Sequence, residues 1–240
     1  MAKSVLEVKD LVKYYGPLKA VNGLSFEVKE NEIFGLIGPN GAGKTTTLRV
    51  ISTILQITSG LVRVFGYELP RQAGEVRRII SYLPEDAGAY KNMTGKVYLG
   101  FMASFFGNGG KTREIVQEGI KIADLGRRIN DRVDTYSKGM MRRLLVGRAL
   151  MTDPRLAILD EPTSGLDVIN AKEIRDIIKN ATKEGTTVLL SSHNMLEVEF
   201  LCDRIALIDE GKIVEEGKPQ ELKKKYKASN IEEVFVEAVR

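Results

Sequence analysis

Nine residues constrain this chain more than any other stretch: Gly38-Pro39-Asn40-Gly41-Ala42-Gly43-Lys44-Thr45-Thr46. They fit the phosphate-loop pattern, a glycine, four residues of any kind, then Gly-Lys-Thr. An apolar run, Ile33-Phe34-Gly35-Leu36-Ile37, leads into them, and Leu48, Ile51 and Leu55 follow at helical spacing. The pattern therefore sits between a strand and a helix, as its chemistry requires. Glycines let the backbone wrap a phosphate chain with successive N–H groups pointing inward. The following helix presents its partial positive N-terminus to the same anion. Lys44 is placed to reach the β and γ phosphates, and the Thr45 hydroxyl to ligate Mg²⁺. The loop implies a nucleoside triphosphate but not what its hydrolysis drives.

Such a loop needs a second strand bearing a carboxylate. Leu156-Ala157-Ile158-Leu159 is a short continuous apolar run, as expected of a buried parallel strand, and it ends in Asp160-Glu161. Ligands of parallel sheets bind outside the carboxyl ends of the strands. Asp160 can there hold Mg²⁺ opposite Thr45. Glu161, where the chain turns toward Pro162, can face the γ-phosphate and polarise a water. His193, the one histidine of the sequence, closes the next apolar strand and is placed to hydrogen-bond a γ-phosphate. Asp167 and Ser137 are apt helix N-caps, and a serine at a helix N-terminus is also a phosphate site. Lys13-Tyr14-Tyr15-Gly16-Pro17 reads as a turn between the first two strands, and one of its two tyrosines can stack on a nucleobase or pack in a hairpin.

The remaining pattern predicts an α/β chain. Residues 5–9, 24–29 and 61–66 alternate as half-buried strands, and 79–83 read as another strand. No strand signal appears between residues 89 and 150, where three helices are expected. The first carries Val97, Tyr98, Phe101, Met102 and Phe105, an aromatic stripe assigned to the core. Alternation then resumes with a helix around Ile174 to Ala181, a strand at 187–190, a helix running to about Cys202, a hairpin about Asp209-Glu210-Gly211, and a charged helical tail from Pro219. The expected division is one domain, 1–240, with core segments 1–88 and 151–240 and a helical insert 89–150. A net charge of +4 is spread along the chain, and its dense basic run, Lys223-Lys224-Lys225, reads as a solvated helix face. No nucleic-acid partner is expected. The single cysteine, Cys202, excludes an intrachain disulfide and reads as a small core residue. The N-terminal Met1-Ala2-Lys3-Ser4 has no following apolar segment of signal length, and no run of 18 apolar residues exists. Any membrane role is expected to come through a partner.

In the order of these stretches, including Tyr136-Ser137-Lys138-Gly139-Met140, the chain resembles the ATPase subunit of ATP-binding cassette (ABC) transporters over essentially its full length. The resemblance implies a P-loop NTPase (RecA-like) core with an antiparallel β subdomain and an inserted α-helical subdomain. It implies ATP and Mg²⁺ as ligands, and a head-to-tail dimer, either of identical or of related chains. Each ATP is then shared between one chain's residues 38–46 and the other's Ser137 and Gly139. It further implies Tyr15 as the adenine-stacking residue, Glu161 as general base, His193 as γ-phosphate sensor and Asp167 as a contact across the dimer. Transmembrane permease subunits are the implied partners, reached largely through the helical insert at the cytoplasmic face of the membrane. Two positions depart from the family pattern. Lys138 stands where a glycine is usual. Glu85 stands where a glutamine is usual, and its carboxylate can still ligate Mg²⁺ while adding a charge. The sequence looks most similar to the branch of drug, antibiotic and sodium exporters. A soluble ABC-type ATPase acting on nucleic acid or ribosomes is the alternative. A kinase or GTPase would lack the Ser137 segment.

Overall fold

The computed structural model describes residues 3–240; Met1 and Ala2, part of the N-terminal stretch read above, lie outside it. In chain order the elements are β1 (Ser4–Tyr15), β2 (Leu18–Lys29), β3 (Ile33–Ile37), α1 (Lys44–Ile51), β4 (Ser59–Val64), β5 (Tyr67–Leu69), α2 (Ala73–Arg77) and β6 (Ile80–Leu83). There follow α3 (Gly95–Ala103), α4 (Gly110–Ala123), two short 3₁₀ turns, α5 (Lys138–Leu150), β7 (Leu156–Asp160), α6 (Val168–Lys183) and β8 (Thr187–Ser192). The chain ends with α7 (Met195–Val198), β9 (Arg204–Asp209), β10 (Lys212–Gly217), α8 (Pro219–Tyr226) and α9 (Ile231–Val239).

The strands form two sheets. One has six strands in the order β10-β9-β3-β8-β7-β6, parallel except for β10, which returns antiparallel from the Glu210-Gly211 turn. Both turn residues have positive φ, the twist that closes a two-residue hairpin. The other sheet is antiparallel, in the order β2-β1-β4-β5. Every residue of β3, β7 and β8 is buried, which is why these strands read as apolar runs rather than alternations. Their side chains nevertheless alternate between two cores. Ile33, Ile37, Leu159, Val188 and Leu190 face the helices α3 to α6. Phe34, Leu36, Leu156, Ile158 and Leu189 face α1 and the antiparallel sheet. The carboxyl ends of β3, β7 and β8 therefore emerge together between two packed layers, and the loops leaving them share one edge.

Four expectations need correction. The β1–β2 hairpin is longer than the alternation suggested, because register shifts along it break the period of two, one of them at the left-handed Asp10. Tyr14 and Tyr15 consequently lie in β1, and the turn is only Gly16-Pro17. The helix after His193 is a single turn, α7, and residues up to Cys202 continue as turns. The aromatic stripe of α3 is not core. Tyr98 is buried, but Val97, Phe101 and Phe105 are exposed, and the rings of Tyr98, Phe101 and Phe105 form an aromatic cluster with Tyr90. Helical spacing fixes which residues share a face; it does not say whether that face has a neighbour. Cys202 is buried, as expected.

Candidate active site

The loop 38–46 is fixed by close approach of backbone to backbone. A Cβ on Gly38 would lie 2.1 Å from the Ile208 carbonyl oxygen. Gly43 has φ 99° and would place a Cβ 2.5 Å from the Ala20 carbonyl oxygen. Any side chain at either position would push the loop off β9 or β2. The β9–β10 turn adds two hydrogen bonds: Gly211 N–H donates to the Ala42 carbonyl at 3.1 Å, and Asn22 N–H to the Gly211 carbonyl at 2.8 Å. The β1–β2 hairpin thus abuts the loop, and Tyr15, half exposed at the end of β1 with the Lys13 ammonium 5.4 Å from its ring, lies on that hairpin. Helix α1 begins at Lys44 directly after the loop.

Lys44 is 5% exposed, and its ammonium donates to the carbonyls of Gly38 at 2.8 Å and Pro39 at 3.1 Å. It also lies 3.5 Å from Glu161 Oε1. A buried ammonium is stable only with such partners. Asp160 is fully buried and collects three hydroxyls. Ser191 donates to Oδ1 at 2.6 Å, Thr45 to Oδ1 at 3.2 Å and Tyr82 to Oδ2 at 3.4 Å. Burial, and then the charge of Asp160, push the Tyr82 phenol up to about 12, so it stays protonated and donates. Glu161 stands in the left-handed region at φ 49°, and its N–H donates to Ser191 Oγ at 3.0 Å. Left-handed backbone at a side-chain-bearing residue is held only where the surroundings over-determine it. The turn aims the Glu161 carboxylate back over the loop, where His193 Nδ1 meets Oε2 at 2.8 Å. A cavity of about 350 Å³ opens beside Glu161 and His193, bounded by Ser164, Leu196 and Phe200. An ammonium, two carboxylates, an imidazole and a hydroxyl are thus joined in one run of contacts, with Ser191 linking Asp160 to Glu161.

The sequence profile of the ABC transporter family matches residues 21–164, from β2 through the Asp160-Glu161 turn. The chain belongs to that family. It is 36% identical to the linearmycin resistance ATP-binding protein LnrL of Bacillus subtilis, the alignment covering 98% of this chain and 79% of that one. It is 39% identical to the bacitracin transport ATP-binding protein BcrA of Bacillus licheniformis, covering 92% and 72%. A solved ATP-binding subunit of an ABC transporter superposes with a TM-score of 0.86 at 27% identity, covering 99% of this chain and 100% of the other. A dimeric cassette bound to ADP and phosphate, at 24% identity and TM-score 0.78 over 89% and 98%, bears on the fold alone. The protein is therefore an ATP-binding and ATP-hydrolysing subunit of an ABC transporter.

Within this ABC ATPase, the structure brings together residues 38–46, Asp160, Glu161 and His193 but leaves Ser137, Gly139 and Glu85 apart. Ser137 is exposed and caps α5, accepting the Met140 N–H at 3.2 Å. Among the described residues no hydrogen bond joins segment 136–140 to the loop of its own chain. Lys138 begins α5 with ordinary helical backbone, so a glycine is not required there. Its ammonium lies against Gly165. The Glu85 side chain is exposed and forms no hydrogen bond or ion pair among the described residues; only its carbonyl is engaged, accepting from Arg142 Nη2 at 3.1 Å. Asp167 caps α6 as expected, accepting the Asn170 N–H at 2.9 Å, which with the Asn170 amide holds its carboxyl below the usual range. Sequence reasoning missed Ser191, Tyr82 and Arg142. Ser191 carried a readable signal, a hydroxyl ending an apolar strand that neighbours β7 and pairs with Asp160 in register. Tyr82 and Arg142 did not, because their distance from the site in sequence is closed only by the fold.

Proposed function

We propose that this ABC ATPase works as one half of a closing pair and powers an exporter. The observation that carries the reading is the division of residues just described. One chain gathers everything that grips and attacks a terminal phosphate, while its Ser137 segment makes no hydrogen bond to its own loop. Head-to-tail association, whether with a second copy or a related chain, supplies the missing side: Ser137, the α5 N-terminus and Gly139 of one chain close on the phosphates held by the other. Two such contacts related by a two-fold axis satisfy both sites at once.

Each residue then has a role. The N–H groups of residues 38–46 cradle the phosphates, and Lys44 exchanges its hold on the Gly38 and Pro39 carbonyls for phosphate oxygens. Tyr15 stacks on the adenine. Thr45 and Asp160 are hard oxygen donors 3.2 Å apart, close to the roughly 2.9 Å edge of an octahedron with 2.0–2.1 Å bonds, so they fit Mg²⁺. The 84–88 loop can bring Glu85 to the same ion. When bound, Mg²⁺ neutralises developing phosphate charge. Glu161 accepts a proton from the attacking water, and His193 fixes the Glu161 carboxylate and senses the γ-phosphate. Asp167 contacts the partner across the interface.

No helix among the described residues is long and apolar enough to cross a membrane. Work on a membrane is transmitted through permease subunits at its cytoplasmic face. The exposed Tyr90, Phe101 and Phe105 of the insert, with the adjoining groove lined by Arg77, Phe105 and Phe106, supply an apolar, basic-edged surface for that contact. Export as the direction is supported by the relatives, whose names speak of resistance, bacitracin transport and Nod factor export.

Glu161→Gln tests the reading. The variant keeps shape and burial but cannot take a proton. It is expected to bind ATP, hydrolyse it slower by a factor of at least about 10², and accumulate as an ATP-dependent dimer in light scattering. Native turnover, or a monomer under saturating ATP, would sink it.

A further inference from the structure

Arg142 stands on α5, five residues after the Ser137 that the proposed pairing places over a second nucleotide. It is 8% exposed. One arm of its guanidinium, Nη2, donates to the Glu85 carbonyl at 3.1 Å. The other, Nη1, is buried and has no acceptor among the described residues. A buried fork that spends one arm and leaves the other idle is incomplete, because a guanidinium cannot shed its charge and its N–H groups need acceptors. The negative charges acting on it are, in order, Glu85, Asp160 and Glu161. Asp160 is occupied by three hydroxyls, and Glu161 by Lys44 and His193. Glu85 alone of the three has a carboxylate without a partner among the described residues, and its own backbone is already pinned by the same guanidinium. Its side chain has enough rotatable bonds to fold onto Nη1 or to extend away.

We propose that Arg142 is a positioning residue for ATP hydrolysis: it holds the 84–88 loop by the Glu85 carbonyl and offers Nη1 as counter-charge to the Glu85 carboxylate. The proposal rests on the ABC ATPase reading for the reaction it positions. The consequence is mechanical. The helix that closes one nucleotide through Ser137 grips, through Arg142, the loop that serves the carboxylates of its own site. The buried Nη1 is the group that needs an acceptor, and a glutamate at position 85 can supply a charged one where a neutral residue could not.

The test is a rescue. Arg142→Gln leaves Glu85 unbalanced and is expected to lower kcat on the order of tenfold, the scale of one charge-assisted hydrogen bond. ATP binding to the 38–46 loop should change little. Adding Glu85→Gln removes the charge that needed balancing and should restore most of that loss. In an Arg142→Lys chain, which keeps the charge, Glu85→Gln should rescue nothing. If Arg142→Gln costs the same with and without Glu85→Gln, the pairing is overturned, since a merely structural arginine would not distinguish the two backgrounds. Should Arg142→Gln fail to fold, the exposed position decides: Glu85→Lys sets a second cation against Arg142 and should depress kcat further than Glu85→Ala. Equal effects of lysine and alanine refute the assignment. Glu161→Gln dimerisation with ATP is scored separately, so a failed closing pair is not mistaken for a failed Arg142–Glu85 link.

Discussion

Ser191 carries two hydrogen bonds at one oxygen, accepting from the Glu161 N–H and donating to Asp160 Oδ1, in a fully buried position. It thereby ties Asp160, the proposed metal carboxylate, to the turn that aims Glu161, the proposed general base. Ser191→Ala leaves a buried N–H and a buried carboxylate oxygen each one partner short. The expected cost is about 1–3 kcal/mol, or roughly 3–10 °C of melting temperature for a chain of this length. The Mg²⁺ concentration for half-maximal ATPase should rise with it. Calorimetry and a metal titration check both, and an unchanged metal requirement would confine Ser191 to stability. At this scale the candidate site was largely legible. Residues 38–46, Asp160-Glu161 and His193 each close an apolar run at the end where parallel sheets bind ligands, so motif and context agreed. Ser191, a hydroxyl ending the apolar strand beside β7, was readable in principle; Tyr82 and Arg142 were not, because they touch Asp160 or Glu85 only after β6, β7 and α5 have packed. The left-handed Glu161 was equally hidden, since nothing in Asp-Glu-Pro announces a positive φ.

Elements were legible in proportion to their length and to the contrast between their two faces. β3, β7 and β8 showed as apolar runs and α6 as an amphipathic helix. β5, of three residues, and α2, of five, are too short to show a period. Contacts between elements are beyond periodicity altogether, and two glycines illustrate this. Gly147 of α5 would place a Cβ 2.8 Å from the Gly119 carbonyl oxygen of α4, backbone that cannot yield without parting the helices. Gly100 of α3 has nothing within 4 Å of the same point. Alanine is the better helix former by about 1 kcal/mol at either site on propensity alone. Gly100→Ala should therefore stabilise the chain by about 0.5–1 kcal/mol. Gly147→Ala should destabilise it by about 1–3 kcal/mol, because overpacking outweighs propensity. Urea unfolding of both variants measures the difference. The same sign for both would mean that α4 and α5 do not approach through Gly119 and Gly147.

At the scale of the whole molecule, the proposed pairing makes each chain one half of two shared sites. The parallel sheet order, with β3 between β9 and β8 and β8 beside β7, brings the 38–46 loop, Asp160, Glu161 and His193 to one edge. α5 starts elsewhere, its first residues packed on the start of α6, where a Cβ on Gly139 would meet the Asn170 side chain. If each nucleotide is shared between two chains, the two halves of a site can be inactivated on different copies. A Lys44→Ala chain lacks the phosphate grip but keeps a sound Ser137. A Ser137→Arg chain keeps the grip but cannot close on its partner. Each alone should be inactive. In a dimer of one with the other, the Ser137→Arg chain's own loop meets the native Ser137 segment, and one complete site re-forms. Co-expressed in equal amounts, random pairing makes half the dimers mixed, each with one working site in two. ATPase should then recover to roughly one quarter of native for identical independent sites related by a two-fold axis. Dilution of either variant by native chain serves as the control for subunit pairing. If Ser137 acted on the loop of its own chain, each copy would carry one lesion in its single site and no mixture would recover activity.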